Sequence, residues 1–224
     1  MIKQGYPEVA LVTPVANEPE LKATHTALKE ILKPHTWIWV LVFDQKDPQG
    51  YQEALSLDQC AVLWRRGKPN LTQAYRRGHH SALDLECPKI IEFDIGHPLT
   101  EIPKTIRLLD DYPLVLGSRF LGNHGGNGSR RFFSSTGNKI GQEVLHLPFS
   151  DCSGGFIGFQ RNTLHKLNYT SFITNGYAFH LELKCALRHE RFIEIPISSN
   201  HDNSGFRVLP TLGDLFQLLR SPHA

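Results

Sequence analysis

Glu92 and Asp94 stand at the end of a short apolar run, Lys89-Ile90-Ile91-Glu92-Phe93-Asp94, and His97-Pro98 breaks the chain just after it. On an extended strand, residues two apart point to the same face. At a strand end in an open α/β sheet, that face borders the crevice where ligands bind. A hard divalent cation that bridges phosphate oxygens asks the protein for one or two carboxylates and takes the rest of its shell from phosphate and water. The pair therefore points to a nucleotide-diphosphate site. An E-x-D after an apolar run is common surface decoration, so the weight must come from the rest of the chain.

Other residues could neutralise such an anion. Gly122 to Ser129 reads GNHGGNGS, which sustains neither helix nor strand. It is either a linker or a mobile lid, and Arg119, Arg130 and Arg131 around it favour a lid that closes on an anion. The cluster Arg65, Arg66, Lys68, Arg76 and Arg77 reads as a solvated basic face. Cys60, Cys87, Cys152 and Cys185 are scattered without a C-x-x-C pair, and the 12 histidines show no H-E-x-x-H spacing. Reduced thiols are expected, and a zinc centre is not.

The elements that must position these groups alternate. Val9 to Val12 is a first apolar strand. Pro19 suits the first turn of a helix whose inward stripe is Leu21, Leu28, Ile31 and Leu32, stopped by Pro34. Trp37 to Phe43 is a strand buried on both faces, followed by Asp47-Pro48-Gln49-Gly50, which is turn chemistry. Further strands are expected at 61–64, 89–93 and 114–116, with helices at 71–83 and 100–109 between them. This alternation predicts a mostly parallel, doubly wound sheet with helices on both faces. Right-handed crossovers would bring Thr13, Asp44 and Asp94 to one edge. Later, 139–147 and 177–188 read as helices, and 155–159 and 192–197 as strands.

At 224 residues one large α/β domain is expected, with 1–118 as a nucleotide-binding half and 119–224 as an acceptor half. A formal net charge of +2 argues against a general nucleic-acid binder. The N-terminus has neither a basic nor an apolar signal region, and no apolar run approaches the ~18 residues of a membrane span. A cytoplasmic protein is expected, with any membrane contact peripheral at the cytoplasmic face.

The order of short motifs resembles family 2 glycosyltransferases of the GT-A fold, in particular the dolichyl-phosphate mannose synthases and related polyprenyl-phosphate glycosyltransferases. The family's P-x-Y-N-E appears as Pro14-Val15-Ala16-Asn17-Glu18, and its D-D-G-S turn is reduced to Phe43-Asp44-Gln45-Lys46. G-L-G-x-A-Y reads Asn70-Leu71-Thr72-Gln73-Ala74-Tyr75, and the metal motif D-x-D-x-x-H-P reads Glu92-Phe93-Asp94-Ile95-Gly96-His97-Pro98. Gly117-Ser118-Arg119-Phe120 is intact, and the downstream basic residue, serine and asparagine match Arg131, Ser134 and Asn138. D-x-T-S-G-F becomes Asp151-Cys152-Ser153-Gly154-Gly155-Phe156, G-Y-x-F-x-x-E is intact from Gly176 to Glu182, and E-x-P-I is intact from Glu194 to Ile197.

The resemblance implies an inverting transfer from a nucleoside-diphosphate sugar, with GDP-mannose as donor and a polyprenyl or dolichyl phosphate as acceptor. Mg²⁺ or Mn²⁺ would be held by Asp94 with Glu92 in support. The nucleotide would contact Pro14, Ala16, Glu18, Asp44, Gln73, Glu92 and Asp94. The acceptor would meet Arg119, Arg131, Ser134 and Arg207. A lipid phosphate is already anionic and needs no general base. A hydroxyl acceptor needs one, and the resemblance makes Asp151 the candidate. Asp151 as a simple turn cap remains open beside that role. Tyr177, Phe179 and Phe156 are expected in the core, and Glu182 is expected to face a basic neighbour.

Several positions depart from the family. Ala16 replaces a tyrosine, Glu92 an aspartate, Gly96 a polar residue and Asp202 an arginine, while Arg207 is read in place of the terminal lysine. These changes keep other sugars, non-lipid acceptors and a non-catalytic nucleotide-binding subunit open as readings. Leu209, Leu212, Leu215, Phe216 and Leu219 fall at helical spacing. That stripe packs on the core, lies on a bilayer or docks a membrane-anchoring subunit. With only Arg207 and Arg220 flanking it, a partner is the stronger form of the membrane idea.

Overall fold

The computed structural model describes residues 5–16, 20–43, 48–68, 70–121, 138–174, 176 and 178–198. Strands β1 (Val9–Val15), β2 (Trp37–Phe43), β3 (Cys60–Trp64), β4 (Lys89–Glu92), β5 (Leu114–Ser118), β6 (Ile157–Gln160) and β7 (Phe192–Pro196) form one sheet. Their order is β3-β2-β1-β4-β6-β5-β7. All pairings are parallel except those of β6 with β4 and β5, so β6 alone runs against the others.

The strands are apolar almost throughout because both faces are covered. Along β1 and β2, Ala10, Val12, Val40 and Val42 enter one core layer, and Val9, Leu11, Trp39, Leu41 and Phe43 enter the other. Helix α3 (Leu71–Asp84) covers the first layer with α5 (Arg161–His165) and α6 (Phe179–Leu187). Helices α1 (Leu21–Ile31), α2 (Pro48–Leu55) and α4 (Ile102–Leu108) cover the second. The expected mostly parallel sheet with helices on both faces is what the chain forms.

Local differences have identifiable causes. Asp47-Pro48-Gln49-Gly50 was expected to be a turn, yet Pro48 opens α2. A proline's fixed φ suits the first helical turn, where its missing N–H costs nothing. The expected helix at 139–147 is a short π-turn over Ile140–Val144. A Cβ at Gly141 would collide with the side chain of Cys152, so that segment hugs the loop before β6. The expected strand at 155–159 starts later, at Ile157, because Gly154 and Gly155 are used in close approaches. Thr13 lies inside β1 rather than at the sheet edge, and its buried hydroxyl accepts from Trp39 Nε1 at 2.9 Å. The apolar stripe at 209–219 lies outside the described residues.

Candidate active site

The parallel strands β1, β2 and β4 all end at one edge of the sheet, and the chemistry-bearing residues follow from those ends. After β4, Phe93 donates its N–H to Val12 O at 3.1 Å, and the chain turns at once. His97 N donates to Asp94 O at 3.0 Å, and Asp94 N donates to His97 Nδ1 at 2.9 Å. Gly96 completes the turn with φ +104°, which glycine adopts at little cost. Asp94 is half-buried at the rim, and its Oδ1 accepts from Tyr75 Oη at 2.7 Å. Tyr75 comes from α3, whose start is capped by Asn70: its Oδ1 accepts from Gln73 N at 2.9 Å.

Glu92 was expected beside Asp94 as a second metal ligand. It is the last residue of β4, and it is fully buried. Its carboxylate oxygens face His79 Nε2 at 2.8 Å and His180 Nε2 at 3.2 Å, both on rings almost wholly buried. Burial raises its pKa, and the two imidazoles outweigh that, holding it below the ordinary glutamate value. Alternation fixes the face of a strand residue but not its depth. Here α3 and α6 close over Glu92 and leave only Asp94 at the rim. The metal-ligand expectation for Glu92 is corrected accordingly: its oxygens are engaged away from solvent.

Across the crevice, Arg119 follows the last residue of β5. It grips Asp151 in a two-point contact, Nε to Oδ2 at 2.7 Å and Nη2 to Oδ1 at 2.9 Å, and also donates to Ser153 Oγ at 2.9 Å. The backbone N–H of Arg119 adds a bond to Asp151 Oδ2 at 3.1 Å. Burial pushes the Asp151 carboxyl up, but Arg119 and then Lys184 outweigh it and hold the acid far below the usual range. Such a carboxylate is a poor proton acceptor at neutral pH, so the general-base expectation for Asp151 is corrected as well. The charges of Asp151 and Asp94 raise the Arg119 pKa against the burial that lowers it.

The loop around Asp151 is held from several sides. Lys184, fully buried on α6, donates to Asp151 O and, at 2.9 Å, to Gly154 O. Asn138 donates to Ser150 O at 2.7 Å and accepts from Cys152 N at 2.6 Å. Glu194 on β7 accepts from Ser150 N and Oγ, each at 2.9 Å. A Cβ on Gly155 would come within 2.8 Å of the His180 ring. The double glycine lets this loop pass between Asp151 and the helix that carries His180.

The remaining expected residues divide clearly. Pro14 ends β1 beside Val15, and Ala16 is exposed just beyond. Gln73 lines a groove with Leu63, Arg65, Arg76, Arg77 and His80. Glu18, Asp44, Arg131, Ser134 and Arg207 lie outside the described residues, as do Tyr177, the Gly122–Ser129 segment and Asp202. Phe156 and Phe179 are in the core as expected. Among the described residues Glu182 meets backbone rather than a basic side chain: it accepts from Ile173 N at 2.8 Å and Thr174 N at 3.0 Å. Burial pushes the thiol of Cys60 up to about 12, Cys87 to about 11, Cys152 to about 12 and Cys185 to about 11, which disfavours their thiolate forms.

Sequence reasoning missed Tyr75, His79, His180 and Lys184. The signal for the first two was present, since Tyr75, His79 and Ala82 share the inward stripe of α3. Nothing in the sequence pairs them with Glu92.

The residues present fit a divalent cation in one limited way. Among the described residues there is no cluster of three or more His, Cys, Asp or Glu side chains able to hold a metal. Asp94, half-exposed at the rim, can supply carboxylate oxygen to a cation that takes its remaining ligands from phosphate and water.

No protein-family model matches the chain. It is 25% identical over 177 residues to polyprenol monophosphomannose synthase of Mycolicibacterium smegmatis, covering 72% of this chain and 66% of that protein. It is 27% identical over 132 residues to dolichol-phosphate mannosyltransferase of Saccharomyces cerevisiae, covering 56% of this chain and 48% of that protein. The chain thus spans between about half and two thirds of the length of these curated relatives. In fold it is similar to glucosyl-3-phosphoglycerate synthase of Mycobacterium tuberculosis in complex with Mn²⁺, UDP-glucose and phosphoglyceric acid. That match has a TM-score of 0.68 at 12% identity and covers 97% of this chain and 81% of the other. The same synthase with UDP alone gives 0.66 at 13% identity, over 97% and 82% of the two chains. The protein has the GT-A glycosyltransferase fold, and its relatives in sequence are mannosyltransferases named for polyprenol and dolichol phosphate.

Proposed function

We propose that this protein is an inverting, divalent-metal-dependent glycosyltransferase that moves mannose from GDP-mannose to a polyprenyl phosphate. The observation that carries the acceptor half of this reading is the state of Asp151. The acid that would serve a hydroxyl acceptor is buried and bound at both oxygens by Arg119. An acceptor needing no deprotonation suits such a site. A phosphate monoester, with its second pKa near ~6, is largely dianionic at neutral pH and attacks without a base. The names of the sequence relatives support the same choice.

In this reading each residue has a physical task. Asp94 holds Mg²⁺ or Mn²⁺, which when bound stabilises the departing diphosphate as its charge grows. Arg119 presents positive charge toward the crevice, its orientation fixed by Asp151 and Ser153. Lys184 and Asn138 keep that loop in place without touching substrate. The acceptor phosphate attacks the anomeric carbon from the face opposite the diphosphate, and the configuration inverts. Pro14, Ala16, Glu18, Asp44 and Gln73 remain the proposed nucleotide side, and Arg131, Ser134 and Arg207 the proposed acceptor side. No helix among the described residues is long and apolar enough to cross a membrane. In this reading the lipid is reached through peripheral contact or a membrane-anchoring partner.

The test is transfer of labelled mannose from GDP-mannose to a short polyprenyl phosphate, with UDP-glucose and 3-phosphoglycerate as the competing pair. Mannosyl lipid formed only with Mg²⁺ or Mn²⁺ is the expected result, and Asp94→Asn should abolish it while leaving Tm nearly unchanged. Turnover restricted to the competing pair would overturn the lipid reading. Full activity of Asp94→Asn would overturn the metal role.

A further inference from the structure

Asp94 is met by a hydroxyl that none of the proposed chemistry requires. Tyr75 Oη donates to Asp94 Oδ1 at 2.7 Å, and the ring that carries it is fully buried. That ring stacks on Phe179, centroids 5.2 Å apart and planes within 10°, and receives the His180 ring edge-on at 4.9 Å. The other imidazole of the Glu92 bracket, His79, lies 6.0 Å from the Tyr75 ring. His79 is fixed at its far nitrogen by a hydrogen bond between Nδ1 and Tyr169 Oη. Three elements thus converge on one phenol: α3 carries it, α6 packs it, and β4 supplies the carboxylate that holds both flanking imidazoles.

We infer that Tyr75 is a positioning residue for the cation, fixing Asp94 as a ligand through a single oxygen while Glu92, held between His79 and His180, keeps the Tyr75 ring in place. The inference rests on the reading that Asp94 holds a divalent cation. A short hydrogen bond on Oδ1 leaves Oδ2 as the oxygen free to coordinate, and it removes the side-chain rotations that an exposed aspartate would otherwise sample. Single-oxygen binding is what Mg²⁺ and Mn²⁺ favour in an octahedral shell completed by phosphate and water. Removing a group that orients a metal ligand in this way typically costs about 10- to 100-fold in metal affinity. A further consequence concerns order of binding. With Asp94 Oδ2 the one such oxygen on offer among the described residues, the cation binds the free protein far more weakly than it binds the protein–nucleotide complex.

The experiment is a Mn²⁺ titration followed by electron paramagnetic resonance on the full chain. It is run without nucleotide, with saturating GDP and with saturating UDP, for wild type and Tyr75→Phe, with Tm recorded beside each. Phenylalanine keeps the ring and its packing and removes only the hydroxyl. The expected result is a Mn²⁺ Kd in the nucleotide complex weakened by about 10-fold or more in Tyr75→Phe, at nearly unchanged Tm. An unchanged Kd in a folded Tyr75→Phe overturns the inference and leaves the cation reading standing. A wild type that takes up no Mn²⁺ with either nucleotide overturns both. Wild-type affinity that is equal with and without nucleotide also overturns the single-oxygen account, and this arm needs no variant.

Discussion

Arg119 and Asp151 form a two-point ion pair, Nε–Oδ2 2.7 Å and Nη2–Oδ1 2.9 Å, in which the acid is wholly buried and the arginine side chain stays 30% exposed. The asymmetry assigns the roles. The carboxylate is spent inside the fold on aiming a cation whose remaining surface faces the crevice. A planar guanidinium can serve both directions at once, because its donors form a fixed fork.

Removing that acid should be costly. Asp151→Asn leaves the part-exposed guanidinium without its counter-charge and weakens its charge-assisted hydrogen bonds, and should lower unfolding free energy by about 1.5–3 kcal/mol. Urea unfolding of the two proteins at pH 7 measures this. A loss below about 1 kcal/mol, the scale of an exposed pair, would refute the structural role.

The same pair sets a pH dependence. The Asp151 carboxyl titrates lower in the folded protein than in the unfolded chain. Its contribution is therefore fully present above the unfolded value near ~4 and is lost as pH falls from there toward the folded value. The stability gap between wild type and Asp151→Asn should narrow as the pH is lowered below about 4. A gap that stays constant across that acid range would show that ionisation of Asp151 is not its source.

Glu92→Asp restores the residue common in the resembling family, and on sequence alone it should be mild. The bracket reverses that expectation. The shorter arm cannot meet both His79 and His180, which now face its oxygens at 2.8 and 3.2 Å. A buried polar group left unpaired costs about 1–3 kcal/mol. Differential scanning calorimetry should find Glu92→Asp less stable than wild type; equal or greater stability would refute the bracket.

Gly78 lies inside α3, where alanine would ordinarily add up to about 1 kcal/mol of helix stability. Here the added methyl would overlap Val12 Cγ1 and come within 3.3 Å of Val42 Cγ2. Overpacking of this kind costs about 1–3 kcal/mol, so Gly78→Ala should be net destabilising. A stabilised variant would mean that α3 does not sit so close on β1.

Much of this protein was legible in its sequence. Apolar runs such as Trp37–Phe43 announced strands covered on both faces, and the run from Lys89 to Glu92 is a strand with Asp94 in the turn just past its end. Short propensity signals were less decisive: Pro48 can end a segment or open a helix, and the choice was made by Ala54 reaching a core layer. The order of motifs carried the resemblance, and with it the fold. Periodicity along a chain reports direction, however, and not depth or partner. Only the packing of α3 and α6 over β4 decided that Glu92 belongs to two histidines far away in sequence while Asp94 belongs to the crevice. Only the meeting of β5 with the loop before β6 decided that Asp151 is the counter-ion of Arg119 rather than a base. Those pairings depend on contacts between residues remote in the chain, and burial is what turned each of them from an available acid into a fixed one.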